Sequence, residues 1–304
     1  MDYVLETNSL VKRYGNAKAL DGLTMRVPKG AIYGFVGRNG AGKTTLIRLI
    51  CGLQLPSSGS YSIYGREFTS REISRSRRRM GAVVETPSIY LDMSARENLK
   101  QQYRVLGLPS YEGVDELLEL VGLADAGKKR AKNFSLGMKQ RLGIAVALCG
   151  GPDFLILYEP TNGLDPEGII EIRELILRLN RENQITVLIS SHILDELAKL
   201  ATHYGFIDGG RMVREMSAAE LEAACRKCMR LEVTDTRALA RALDELGAEY
   251  RILSEDTADV YERLNVSKLA AALQKEGCEL VSVKERDESL ESFYISIVGG
   301  AHHV

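Results

Sequence analysis

Gly37-Arg38-Asn39-Gly40-Ala41-Gly42-Lys43-Thr44-Thr45 is the stretch whose reading decides the fold. The apolar run Ala31 to Val36 before it predicts a buried strand. Leu46 to Cys51 after it predicts a helix that stops at Gly52. A Gly-x-x-x-x-Gly-Lys-Thr turn between a strand and a helix is a phosphate-binding loop in its expected setting. The glycines let backbone N–H groups curl around an anion without Cβ clashes, and the helix start adds partial positive charge there. Lys43 is placed for the β- and γ-phosphates of a nucleoside triphosphate, and the Thr44 hydroxyl for Mg²⁺. A tight turn with no ligand is the plain alternative; it gives no reason for the Lys-Thr pair.

The chain around this loop has 304 residues, enough for a large core and two domains. Apolar residues make up 45% and charged residues 27%, which is ordinary for a globular protein, and the net charge of -1 gives no overall bias toward nucleic acid. Arg71, Arg75, Arg77, Arg78 and Arg79 form a local basic cluster, read as a solvated helix face. No apolar run approaches the ~20 residues that span a bilayer, and the N-terminus has no signal-peptide core. Five scattered cysteines suit reduced thiols in the cytoplasm, and the lone pair Cys225 and Cys228 is expected to occupy two helix positions.

In order, residues 2 to 36 alternate apolar and polar with turn signals at Gly15-Asn16, Asp21-Gly22 and Pro28-Lys29-Gly30, which predicts antiparallel strands leading into the loop strand. Ser60 to Tyr64 and Gly81 to Val84 read as strands, and Glu85-Thr86-Pro87 breaks the second. Ala95 to Leu106, Tyr111 to Val121 and about Met138 to Cys149 have helical spacing. Phe154 to Leu157 and Ile185 to Ile189 are strand-length apolar runs, with a helix from Glu167 to Asn180 between them. Asp208-Gly209-Gly210 signals a hairpin. Strands alternating with helices imply an α/β domain with a parallel core sheet, whose ligands sit at the carboxyl ends of the strands.

The remainder reads as a second, small α+β unit of ferredoxin-like type. Leu231 to Val233, Tyr250 to Leu253, Val260 to Arg263 and Leu280 to Val283 are strand-like; Thr236 to Leu246, Val266 to Glu276 and Ser289 to Ile297 are helical. The expected division is 1–218 and 219–304.

Further stretches narrow the reading. Phe134-Ser135-Leu136-Gly137-Met138 resembles the signature motif of the ATP-binding-cassette (ABC) superfamily, and residues 154 to 166 resemble its Walker B strand and D-loop. His192 falls where the family's switch histidine belongs. Tyr14, Gly37 to Thr45, Glu85, Ser135, Gly137, Glu159, Asp165 and His192 occur in the family's order, and the resemblance covers about residues 3 to 215. The tail, ending Ser289-Leu290-Glu291-Ser292-Phe293-Tyr294, resembles the accessory domain of bacterial drug, bacitracin and lantibiotic exporters.

The resemblance implies a P-loop NTPase cassette: a parallel core sheet, an antiparallel β subdomain and a helical subdomain, followed by the small α+β domain. It implies that Tyr14 stacks on adenine, that the loop from Gly37 to Thr45 holds the phosphates of ATP, and that Thr44 and Glu85 face Mg²⁺. It implies that Glu159 activates the attacking water and that His192 contacts the γ-phosphate. Ser135 and Gly137 would reach the γ-phosphate held by a second copy, and Asp165 would link the two sites. The chemistry agrees, since phosphoryl transfer needs mainly positioning and charge stabilisation.

Two departures stand out. The family has Asp immediately before the catalytic Glu, and this chain has Tyr158, which brings no carboxylate to the metal. It usually has Gln at the place of Glu85. The expected protein is the cytoplasmic, membrane-peripheral ATPase subunit of an exporter of antibiotics or antimicrobial peptides. It would work as a homodimer with an integral membrane permease and without nucleic acid. A catalytically weak regulatory subunit is the alternative that Tyr158 supports. A soluble ABC protein acting on ribosomes or DNA is the third, although those usually carry two cassettes or a long coiled-coil insertion.

Overall fold

The computed structural model describes residues 2–191, 193–225, 228–262, 264–286 and 290–299. They form two compact units, one running to Ala218 and the other over Ala219–Gly299.

In the first unit, β1 (Tyr3–Tyr14) and β2 (Ala17–Pro28) form a long antiparallel ribbon ahead of β3 (Ile32–Val36) and α1 (Lys43–Ile50). Next come β4 (Ser58–Ile63), β5 (Arg66–Glu67), α2 (Ile73–Arg77) and β6 (Met80–Val83). Then α3 (Ala95–Leu106), α4 (Val114–Leu120) and α5 (Leu136–Leu148) form a helical layer. The chain returns through β7 (Phe154–Tyr158), α6 (Pro166–Asn183), β8 (Thr186–Ser191), α7 (Leu194–Ala198) and the hairpin of β9 (His203–Asp208) and β10 (Arg211–Ser217).

Two sheets result. β2-β1-β4-β5 is antiparallel; the other has the order β10-β9-β3-β8-β7-β6, parallel except at the β10 edge. All of β3 and β8 and all but the last residue of β7 are buried, as parallel strands covered on both faces must be. One apolar cluster joins the sheets through α1: Leu20, Leu23 and Met25 of β2 and Phe35 of β3 share it with Leu46 and Ile47. The helix that follows the glycine-rich turn is therefore anchored on both sides by burial, the dominant favourable term in folding.

The structure corrects several expectations. Asp21-Gly22 is not a turn. Gly22 has φ 78° and lies inside β2, where the pairing steps from Leu10–Leu23 to Val11–Asp21, a β-bulge. α1 begins at Lys43 rather than Leu46, and α5 at Leu136 rather than Met138. Of the arginine cluster, Arg71, Arg75, Arg78 and Arg79 are exposed as expected, Arg79 while stacked on the Tyr64 ring at 3.8 Å and paired with Asp153; Arg77 is the exception, partly buried and donating to the Tyr61 hydroxyl at 2.6 Å.

In the second unit, α8 (Ala218–Ala224) leads into β11 (Cys228–Val233), α9 (Thr236–Leu246), β12 (Tyr250–Ile252), β13 (Thr257–Val260), α10 (Val266–Lys275), β14 (Leu280–Arg286) and α11 (Leu290–Gly299). The sheet order β12-β13-β11-β14, antiparallel throughout, is that of a β-α-β-β-α-β unit. Leu239, Leu243, Leu269 and Leu273 of α9 and α10 pack on Leu231 and Val260. Cys225 follows α8 and Cys228 opens β11, so they are not two positions of one helix. The strand expected from Val260 to Arg263 instead ends at Val260, and Arg263 lies outside the described residues.

Candidate nucleotide site

The glycine-rich turn leaves the carboxyl end of β3 and enters α1 through Gly42, which caps the helix at φ 110°. A Cβ on Gly42 would lie 2.6 Å from the Ala19 carbonyl oxygen, and one on Gly37 would lie 2.6 Å from that of Ile207. Only glycine fits at either place. The turn is also held by backbone bonds from distant strands: the Gly210 N–H donates to Ala41 O at 3.0 Å, and the Asp21 N–H to Gly210 O at 2.9 Å. What remains is a cavity of about 110 Å³ whose lining includes Arg38, Asn39, Gly40, Lys43, Thr44 and Tyr158.

Lys43 is buried at the start of α1. Its ammonium donates to the carbonyl oxygens of Gly37 and, at 3.3 Å, of Arg38. It also stands 3.7 Å from the Glu159 carboxylate, with the two side chains only 4% and 9% exposed. Burial pushes the Lys43 amine below the usual lysine range, and the Glu159 charge opposes that shift. A desolvated cation at a helix N-terminus, facing a small polar cavity, is suited to an anion.

Glu159 follows β7 with φ 46°, a left-handed conformation that costs a non-glycine residue about 1–2 kcal/mol. Its N–H donates to Ser190 O at 2.9 Å, which pins the bend against β8. Strained backbone held by its surroundings clusters at functional sites. Tyr158, the last residue of β7, lines the cavity and packs its half-buried ring against the apolar cluster around α1.

The other expected residues fall into separate places. Ser135 caps α5, accepting from the Met138 N–H at 3.2 Å, and Asp165 caps α6, accepting from Gly168 N–H at 3.1 Å. Tyr14 ends β1 with its ring 46% exposed, its hydroxyl bonded to Gln54 and the Lys12 ammonium 5.3 Å from the ring centre. Glu85 also has a left-handed backbone, φ 64°, and its carboxylate meets Arg48 of α1 at 2.5 Å. Arg48 had no local signal in the sequence, because its partner is fixed only when β6 lies beside α1. His192 lies outside the described residues.

As donors to a Mg²⁺ ion, this chain offers the half-buried Thr44 hydroxyl and the Glu85 carboxylate, the latter held by Arg48. Among the described residues no three His, Cys, Asp or Glu side chains are grouped as a metal site. The set fits Mg²⁺ that arrives on nucleotide phosphates, the usual manner for this ion, and does not fit an all-protein cage.

A family model described as "ABC transporter" matches residues 20–162. The bacitracin transport ATP-binding protein BcrA of Bacillus licheniformis is 40% identical over 305 residues, covering 99% of each chain. The lantibiotic transport ATP-binding protein SrtF of Streptococcus pyogenes is 44% identical over 212 residues, 70% of this chain and 90% of that one. Among solved structures, cbiO1 from Clostridium perfringens, part of the ABC transporter complex cbiONQ, superposes with a TM-score of 0.66 at 26% identity, covering 81% of this chain and 97% of that one. The ADP conformation of an ATP-binding cassette of an ABC transporter gives 0.65 at 26% identity, covering 72% and 92%.

Proposed function

From the premise that this chain belongs to the family of ABC transporter ATP-binding subunits, we propose that it binds and hydrolyses ATP to energise an exporter. The exported class we propose is peptide antibiotics, because relatives named for bacitracin and lantibiotic transport match it at 40% and 44% identity. The observation that carries the reading is the buried pair of Lys43 and Glu159, 3.7 Å apart, which puts a phosphate-binding cation beside a carboxylate able to activate water.

In this reading the loop from Gly37 to Thr45 holds the phosphates, and Tyr14 stacks on adenine. Thr44 and Glu85 would hold a Mg²⁺ ion, which would supply charge neutralisation at the phosphates. Glu159 orients the attacking water and His192 the γ-phosphate. Ser135, Gly137 and Asp165 serve a site shared with a second copy of the chain. Residues 1–218 are the ATPase cassette and 219–304 an accessory module. No helix among the described residues is long and apolar enough to cross a membrane, so the proposed assembly includes a separate permease, with this chain on its cytoplasmic face.

Tyr158 favours a second reading, a regulatory subunit that binds ATP and turns it over slowly. Single-turnover hydrolysis by the purified chain, with Lys43→Ala as the blank, separates the two. Hydrolysis well above the blank supports the motor. Tight binding with hydrolysis at the blank level supports the regulatory subunit. Co-isolation with ribosomes or DNA rather than with a multi-span membrane protein would defeat both.

A further inference from the structure

The starts of α5 and α6 abut. A Cβ on Gly163, in the turn ahead of α6, would lie 3.3 Å from the Leu136 side chain, and one on Gly137 would lie 3.9 Å from that of Leu164. Six residues into each helix, about 9 Å along the axis, Arg141 of α5 meets Glu171 of α6 at 3.5 Å. The two helices therefore run side by side in the same direction from neighbouring caps, Ser135 and Asp165.

Arg141 holds a third element as well. Its guanidinium donates to the carbonyl oxygens of Val121 and Gly122 at 3.2 and 3.1 Å, where α4 ends. Those are orphan helix-end carbonyls at the negative end of a dipole, so a cation suits them. From α6, Arg178 donates to Leu120 O on the same helix end. The Arg141 side chain is only 15% exposed, and its Nε is buried without a hydrogen-bond partner among the described residues. An unpaired buried donor lowers stability, so fold stability alone is a poor reason for arginine here.

We propose that Arg141 is a positioning residue. By clamping α5 to the end of α4 and to α6, it fixes Ser135 and Gly137 beside Asp165 as one surface for the triphosphate held by a second copy of the chain. The proposal rests on the shared-site reading above. Arg141 does not line the cavity at Lys43, so its loss is expected to spare nucleotide binding within its own copy.

The test uses the full chain with Glu159→Gln, so that ATP is not consumed. Nucleotide affinity is read from a fluorescent ATP analogue at concentrations where the protein is monomeric, and ATP-driven self-association from sedimentation velocity. Arg141→Gln is expected to weaken self-association about 10-fold or more while leaving monomer affinity within about 2-fold. Arg141→Lys is expected to recover it to within about 3-fold. Glu171→Gln, at a half-exposed position that leaves the fold intact, is expected to weaken it by about 2- to 5-fold, the range of a partly exposed ion pair. A melting-temperature drop with unchanged self-association would overturn the proposal, as would equal losses in both readouts. If the parent fails to self-associate with ATP, the shared-site reading falls and the proposal with it; if the parent associates and the Arg141 variants match it, only the proposal falls.

Discussion

Lys43 and Glu159 face each other across the end of β7, ammonium to carboxylate at 3.7 Å, both nearly buried. Each makes the other's charge tolerable inside the protein, since an unpaired buried ion is strongly disfavoured. Under the proposed function, a nucleotide entering the loop would take Lys43 as its partner and leave Glu159 to orient water. The pair is thus a resting arrangement of groups whose proposed roles begin when it separates.

Glu159→Gln keeps the shape of the side chain and removes the base. Turnover is expected to fall about 10²- to 10⁴-fold, with nucleotide affinity retained because Lys43 and the loop amides remain. Steady-state phosphate release and equilibrium binding of a fluorescent analogue measure the two. Undiminished hydrolysis would remove Glu159 from the mechanism.

Tyr158→Asp places a carboxylate on the cavity wall that the phenol now occupies. The gain expected in Mg²⁺-dependent affinity or turnover is about 10- to 100-fold, the usual worth of a metal-positioning group. Titration with Mg²⁺ at fixed ATP reads it directly. Equal Mg²⁺ dependence in parent and variant would show that the phenol costs the site nothing.

Tyr14→Ala removes the ring of a residue that is 46% exposed. The affinity for ATP is expected to drop about 2- to 10-fold, matching the ~0.5–1.5 kcal/mol of an aromatic contact, while that for inorganic triphosphate stays put. Competition binding with both ligands tests the difference; a parallel loss for the two would place Tyr14 in the scaffold instead.

Burial pushes the Cys51 thiol up to about 11, against a small opposing pull from Arg77, and the Cys149 thiol up to about 12. Only the thiolate is nucleophilic, so both should resist alkylation at pH 8, and as the pH is raised Cys51 should react before Cys149. Peptide mapping after a brief iodoacetamide pulse gives the order of reactivity. Modification of Cys51 or Cys149 as fast as a denatured control at pH 8 would contradict the burial described here.

The strand, turn and helix around Lys43 were legible because each uses a local signal: an apolar run, glycines at forced positions and a resumed helical period. The ferredoxin-like order of the second unit followed from the same periods. Elsewhere one signal served two structures. Gly22 supplies a positive φ to a bulge as readily as to a turn, and nothing adjacent to Asp21 tells them apart. Long-range partners left no trace at all. Arg79 finds Asp153, Arg48 finds Glu85 and Lys43 finds Glu159 only once the sheet is assembled. The strain at Glu159 was equally invisible, since neither its neighbours nor its type favour φ 46°.

The walls of the phosphate loop are main chain supplied by β2, by the end of β9 and by Gly210 in the hairpin beyond it. They come from opposite ends of the first unit, so the loop cannot take its final shape on a growing polypeptide until the segment through Gly210 has been made. Nucleotide binding is therefore acquired late in synthesis, as a long-range event rather than a local one. A fragment ending at residue 200 would carry the whole loop sequence and still lack the backing that shapes it. In this chain the capacity to hold ATP marks a cassette whose synthesis is nearly complete.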